Sequence, residues 1–529
     1  MDQLALFFGL MLAVIVMVPV GDRTGLPAPV LMTLFGGVLA LIPQVPNVRI
    51  DPALILPLVL PPLLFAAVQR TSWRQFAANR RPIFLLAVAL VFVTTAAVAA
   101  VADAVVPGIT PAAAFTLGAL VAPPDPVAAT AVAGRVGLPR RMISILEGEG
   151  LFNDVTAIVL YHVAVAAAVS GHFSVPHALL ELVLSAVVAV AVGLALGWGA
   201  NKLMSVVGDA TLQVGLSLLV PFASYALAEE FHGSGVLAVL TTALFLTEYA
   251  LGADDVTARL AGSTFWEIVD TLVTGIAFGL IGLELHNVFR VGAGSWGPML
   301  WHSALVLAVV AGVRLLYLLP AAWVARKLHR LRDMDEDIPM TWQETVIMWW
   351  SGMRGVASVA LALAIPLTTD DGLPFPARQE LLFIAFAVVL ATLVGQGLTL
   401  PRLVLRLEVS GDIEAEHDLE RDLALRAMTA ARTRLREIER SEPLDEEVTE
   451  MLHRSAFDLG ARISHDVVDE ERRESHARRL KRLGVLRRIQ EDMLSAARSE
   501  VLAARSEPGY DPEVVDRVLR HLDLRSMRG

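Results

Sequence analysis

Long apolar runs follow one another from Leu4 to about Leu407, joined by short polar links. Each is long enough, or nearly so, to cross a hydrocarbon layer as a helix. The pattern predicts about 13 spanning segments. They lie near 4–20, 29–43, 53–68, 82–102, 112–133, 142–169, 178–200, 211–229, 233–251, 265–285, 299–324, 342–366 and 380–405. No stretch shows the short apolar/polar alternation of a membrane β-barrel. The expected fold class is therefore an all-α polytopic membrane protein. After Leu407 the pattern changes. Residues 408–529 are rich in Glu, Asp, Arg, Ala and Leu, and segments 416–440 and 466–505 read as helices with polar faces. The chain thus divides into a membrane domain, 1–407, and a helical tail, 408–529.

Basic residues test the count. With the N-terminus outside, the inner links carry Arg23, Arg70, Arg74, Arg80, Arg81, Arg135, Arg140, Arg141, Lys202, Arg259, Arg326, Lys327, Arg330 and Arg332, and the outer links only Arg49, Arg290 and Arg378. The positive-inside rule then places the N-terminus outside and the tail in the cytoplasm. The start, MDQLALFF, lacks the basic region of a signal peptide, so the first run reads as a retained helix.

Two segments are broken. The fifth carries Pro123, Pro124 and Pro126 around Asp125, and prolines so placed cannot continue a helix. The twelfth carries Gly352, Arg354 and Gly355. It comes seven segments later, in the opposite orientation. Interrupted helices at such positions mark a transporter core built from two inverted repeats, here segments 1–6 and 8–13. Backbone groups freed by the breaks must be satisfied by protein or must line a cavity.

Between the breaks lies EGEGLFND, 147–154, inside the sixth segment. A charge at the bilayer centre costs roughly 2.5–3.5 kcal/mol even on lenient scales. Asp154 is a hard oxygen ligand when ionised and a proton carrier when not. Its neighbour Asn153 either orients that carboxylate or stabilises the break in segment five. Glu149, five residues earlier, points elsewhere on the helix and needs a partner. Arg314, the lone charge of segment eleven, is the expected one. Glu147 reads as an interfacial charge, with lining of the entry funnel or a contact with Arg140 or Arg141 as the alternatives. Glu284 reads as a rim residue, Asp254 and Asp255 as solvated loop acids, and His162 as a satisfied core histidine.

Composition narrows the chemistry. The chain has 529 residues, 55% of them hydrophobic, and no cysteine. A soluble protein, disulfides, thiolate metal sites and a cysteine nucleophile are excluded. The net charge of −11 carries little weight in a membrane protein. No G-x-G-x-x-G marks a dinucleotide-binding tail, and no nucleophile–base pair marks an enzyme.

LPPLLF at 60–65, APPDPVAAT at 122–130, EGEGLFNDVTAIVLY at 147–161, IGLEL at 281–285, Arg314, and SGMRGVASVALAL at 351–363 occur in this order. Together they resemble the monovalent cation–proton antiporters, in the NhaP and Na+/H+ exchanger branch, over about residues 1–407. The resemblance implies 13 helices in a dimerisation part and an elevator-like core, crossed unwound helices in segments five and twelve, and a homodimer. It implies that Asp154 binds the cation or the proton beside Asn153. It also implies a buried Glu149–Arg314 ion pair, and electroneutral exchange, because Asn–Asp replaces Asp–Asp. Three positions depart from the family's common pattern. Pro124 stands where Thr often precedes the aspartate, Gly150 where Ser is frequent, and Ala66 where Glu often follows LPPLLF. These bear on ion selectivity more than on antiport.

The expected function is exchange of cytoplasmic Na+ (or Li+, or K+) for external H+ across the plasma membrane, at Asp154, with Asp125 and the Pro124 carbonyl nearby. No cofactor and no nucleic acid are implied; lipid and a second copy are. K+/H+ exchange is the alternative within transport. A cation channel lacks a filter motif here, and an intramembrane aspartyl protease lacks its G-x-G-D.

Overall fold

The computed structural model describes residues 2–42, 52–70, 79–127, 129–130, 138–172, 175–249, 256–291, 296–332, 341–409, 413–441, 445, 447–453 and, further on, 493, 496–497, 500–501 and 518. Among the described residues, each apolar segment read from the sequence contains a helix, with breaks in the fifth and twelfth. In chain order they are α1 (Asp2–Thr24), α2 (Ala28–Ala40), α3 (Pro52–Arg70), α4 (Arg80–Val105), α5 (Pro111–Val121), α6 (Arg140–Ser170), α7 (Val175–Val206), α8 (Ala210–Glu230), α9 (Gly235–Tyr249), α10 (Val256–Val291), α11 (Trp296–Arg332), α12 (Trp342–Trp350), α13 (Val356–Leu363) and α14 (Arg378–Leu407). Among the described residues, eight of these are long and apolar enough to cross a membrane by themselves. The only β pairing among the described residues is an isolated bridge between Thr368 and Pro374.

Local chemistry explains the boundaries. Thr110 opens α5 by accepting the Ala113 N–H, and Asp209 opens α8 by accepting the Leu212 N–H. Thr341 and Glu344 form a capping box on α12. Gly171, at φ 71°, closes α6 in the left-handed conformation. One π-type turn interrupts α4 at Leu85–Ala89 and another interrupts α14 at Ala391–Gln396.

The chain separates into two compact units, Met1–Gly411 and Asp412–Gly529. Within the first, α4–α6 and α11–α14 pack among themselves, as do α1–α3 and α7–α10. The main packing between the two groups runs through α3 and α10. The α2–α10 contact is a glycine seam. A Cβ on Gly36 would land on the Gly279 carbonyl, and one on Gly282 would land on the Thr33 carbonyl. The outer faces are apolar: Phe8, Leu12 and Ile15 on α1, and Val183, Leu184 and Val187 on α7, are exposed. Water would penalise this surface and lipid does not.

In the second unit one helix, α15 (Ile413–Ser441), is described, overlapping the 416–440 reading. Most of the expected 466–505 helix lies outside the described residues, as do Arg49, Arg74, Arg135, Asp254 and Asp255. The side chains of Arg70, Arg290, Arg326, Arg330 and Arg332 also lie outside them. His162 departs from its reading as a core histidine: it is exposed on α6, because the adjacent Tyr161 takes the inward face.

Candidate ion-binding site

The helix of segment five stops at Val121, just before Pro123 and Pro124, and resumes at Val127. That of segment twelve stops at Trp350 and resumes at Val356. The two breaks meet. The Asp125 N–H donates to the Met353 carbonyl at 2.6 Å. The Asp125 carboxylate accepts the Val127 N–H at 2.9 Å and the Val356 N–H at 3.3 Å. One carboxylate thus caps two half-helix N-termini, where partial positive charge gathers.

Arg354 serves the opposite end of α5. Its Nε donates to the Val121 carbonyl at 2.9 Å, its Nη2 to the Ala122 carbonyl at 3.2 Å, and its Nη1 to the Gly352 carbonyl. The guanidinium satisfies carbonyls that the prolines leave without intrahelical donors. Its own backbone N–H donates to Thr392 Oγ1 at 3.1 Å, within the π-type turn of α14.

The glycines are matters of space. Gly355 has φ −136°, open to any residue, but a Cβ there would land on the Asp125 carboxylate. A Cβ on Gly352 would come within 2.6 Å of Arg314 Cδ. Gly355→Ala is therefore expected to break the crossing and to destabilise by about 1–3 kcal/mol, the usual cost of overpacking. A melting curve in detergent checks it, and an unshifted midpoint would contradict this account.

Glu149 and Arg314 come together, at 1% and 2% exposure. Arg314 donates through Nη1 to Glu149 Oε1 and through Nη2 to Oε2 at 2.9 Å, a bidentate pair. Nε and Nη2 also reach the Met348 carbonyl at 3.2 and 3.0 Å. The pair ties α6, α11 and α12 together beneath the breaks. At the start of α6, Arg141 meets Glu344 of α12 at 3.4 Å. Glu147 and Glu284 are half-buried and each is engaged by a neighbouring group.

Asn153 is fully buried, and its Nδ2 donates to the Pro124 carbonyl at 2.6 Å. Its Oδ1 has no hydrogen-bond partner among the described residues. Of the two roles left open by sequence, this geometry is stabilisation of the break. Asp154 follows on the helix and is half-buried, and its carboxylate accepts no hydrogen bond among the described residues. The charge of Asp125 acts on it. The site thus offers an uncommitted carboxylate beside an uncommitted amide oxygen, with Asp125 already held by two N–H groups. Hard oxygen donors of this kind suit a small alkali cation or a proton as cargo. Gly150 has a reason of its own: the Pro126 ring fills the space a side chain there would take. Ala66 is buried on α3 and brings no donor.

Asp270 on α10 was not singled out from the sequence. Its charge acts on Asp125. The signal was available: an acid inside an apolar run, like those of segment six.

Comparison with known proteins decides the family. The model of the family "Sodium/hydrogen exchanger, transmembrane" matches residues 10–406. The chain belongs to that family. Among relatives of this exchanger, an uncharacterized Na(+)/H(+) exchanger of Mycobacterium tuberculosis is 35% identical over 424 residues, covering 79% of this chain and 77% of the relative. The Na(+)/H(+) antiporter ApNhaP of Aphanothece halophytica is 31% identical over 390 residues, covering 73% and 71%. The exchanger also shares its fold with the sodium proton antiporter MjNhaP1 of Methanocaldococcus jannaschii. That match has a TM-score of 0.59 and 19% identity, and covers 77% of this chain and 99% of that one.

Proposed function

We infer that the protein exchanges Na+ for H+ across the cell membrane, one for one, with Asp154 as the shared site. The observation that carries this reading is the Asp154 carboxylate, which accepts no hydrogen bond among the described residues and follows Asn153, whose Oδ1 is spare. A carboxylate holds a cation or a proton, not both. Asp125, held by Val127 and Val356, stays as a fixed cap, so a single charge is exchanged per cycle. That supports an electroneutral stoichiometry. Family membership and relatives named as Na(+)/H(+) antiporters support Na+ as the cargo.

The packing suggests the division of labour. Helices α4–α6 and α11–α14 hold the crossing and act as the moving part. Helices α1–α3 and α7–α10 form the support through which two copies pair. The distribution of basic residues supports an outside N-terminus and a cytoplasmic tail, 408–529. An inward proton gradient drives Na+ outward and serves pH and sodium homeostasis in the plasma membrane.

Proton flux in proteoliposomes under an imposed pH gradient tests this. Na+ and Li+ are expected to collapse the gradient and choline to leave it intact. K+ as effective as Na+ would make potassium exchange the better description, and no cation response would overturn the antiport reading. Competition at one carboxylate sets the pH dependence. Below the pH at which Asp154 is half-protonated, the apparent KM for Na+ should rise by about tenfold per unit, with the maximal rate unchanged at saturating Na+.

A further inference from the structure

Helix α11 carries an exposed tryptophan toward each end. Trp301 and Trp323 are 64% and 59% exposed. They stand 22 residues apart, which is about 33 Å along a helix and brings both positions to within roughly 40° of one face. That span matches a hydrocarbon core of about 30 Å, and tryptophan rings collect at both of its borders. Leu316 and Leu319, exposed between them, belong to the lipid-facing side. Lys327 lies one turn beyond Trp323, about 6 Å further along the axis, where hydrocarbon gives way to headgroups. Its Nζ stands over the Trp323 ring, 5.1 Å from the centroid.

The same arrangement recurs on α7. Lys202 Nζ lies 5.3 Å from the centroid of the Trp198 ring, which is 60% exposed beside the exposed Leu194 and Leu203. The two stretches read WGANK and WVARK. Four crossings, α8 to α11, separate the two helix ends, so both lie on one face of the membrane. Among the described residues, the ammonium of each lysine meets its ring and no carboxylate. α11 contains no acid, and the single acid of α7, Glu181, comes 21 residues before Lys202. Asp209, which follows α7, commits its carboxylate to the Leu212 N–H. A ring face attracts an ammonium without supplying an acceptor oxygen, so N–H donors stay available. Both lysines also stand in the last turns of their helices, where positive charge is favoured.

We propose that the Trp323–Lys327 and Trp198–Lys202 pairs are two seats for anionic phospholipid. The ring packs against the glycerol and the upper acyl chain, and the ammonium donates to the phosphate. A long basic side chain reaches the headgroups in this way while its stem stays on apolar surface. Charge selects the lipid. Phosphatidylglycerol brings one net negative charge to a lysine that no acid of the described residues neutralises, whereas phosphatidylcholine brings its own cation beside the phosphate. One seat falls on α11, of the group that holds the crossing, and the other on α7, of the second group. Bound lipid thus touches both parts of the exchanger on one membrane face. The seats do not depend on which ion is carried, and they are tested without transport.

Native mass spectrometry of the full chain in detergent, titrated with dioleoylphosphatidylglycerol or dioleoylphosphatidylcholine, counts the bound lipids. Lys327→Gln and Lys202→Gln are each expected to weaken phosphatidylglycerol binding at one site by about fivefold, the effect of one basic residue at an anionic surface. The double substitution should remove two phosphatidylglycerol molecules from the count and leave phosphatidylcholine binding as it was. Lys327→Arg should keep its lipid. Trp323→Leu keeps the charge and should still weaken binding by about threefold, through loss of the cation–π contact. Arg402→Gln, at an exposed basic residue near the end of α14, should change nothing. An unchanged count in the double lysine variant would overturn the seats. So would an equal loss of phosphatidylcholine, or an equal loss in Arg402→Gln, which would reduce the effect to bulk charge. If the double lysine variant does not fold, Trp323→Leu with Trp198→Leu reads the same seats, and phosphatidylglycerol bound there as tightly as by the unsubstituted protein overturns them.

Discussion

Asp154→Asn is expected to reduce Na+-dependent proton flux to that of empty vesicles while the protein still folds. The amide has nearly the shape of the carboxylate, but it neither ionises nor carries a proton. In the present structure Asp154 accepts no hydrogen bond among the described residues, so the substitution costs no packing or pairing. Two readouts separate function from folding. Flux dequenching should vanish. The melting temperature without Na+ should hold, while its rise with added Na+, which measures binding to the folded state, should disappear. Normal flux in Asp154→Asn would overturn the shared-site mechanism.

The second large effect concerns stability. Arg314→Ala leaves Glu149 buried without its partner and strips the Met348 carbonyl of two donors. Removing one member of a buried pair costs about 3–5 kcal/mol, because the remaining charge is uncompensated. A large drop in the melting midpoint in detergent is expected. Arg314→Lys should rescue little, since an ammonium cannot reproduce the fork that meets both Glu149 oxygens and Met348. The double replacement Arg314→Leu with Glu149→Leu should recover part of the loss, because two apolar groups leave no buried charge. It should not recover all, because the Met348 carbonyl stays unserved. A full-strength Arg314→Ala protein would show that the pair contributes no stability.

Much of this architecture is legible in the chain because hydrophobic length and helix-breaking chemistry are local properties. The apolar segments coincide with helices, and the prolines at 123, 124 and 126 and the glycines at 352 and 355 mark where α5 ends and where α12 gives way to α13. Charge at membrane depth also announces itself, which is why Glu149, Asp154 and Arg314 stand out before any coordinates. What stays hidden are hydrogen bonds to backbone across long separations. Nothing in the spacing says that Asn153 addresses the Pro124 carbonyl, or that Arg354 reaches back to Val121 and Ala122. Nor does it say that Asp125 caps two helices at once. The reasons for Gly352 and Gly150 are equally out of reach, since each is set by a side chain on another element, Arg314 and Pro126. Asp270 shows a different failing. It is an interior acid with no motif around it, so the pattern alone gives it no role.

The seam between α2 and α10 has a mechanical consequence. Where Gly36 meets the Gly279 carbonyl and Gly282 meets the Thr33 carbonyl, backbone touches backbone with no side chain between them to bend. Such a joint has almost no compliance, so the two helices act as one stiff beam. On the proposed mechanism, sliding during the stroke falls elsewhere, where α10 meets α13 and α14. The beam is then the frame of reference for the stroke. In a chain with no cysteine to mask, paired probes placed across the seam should keep their spacing through the cycle, while a pair from the beam to α13 should report the travel.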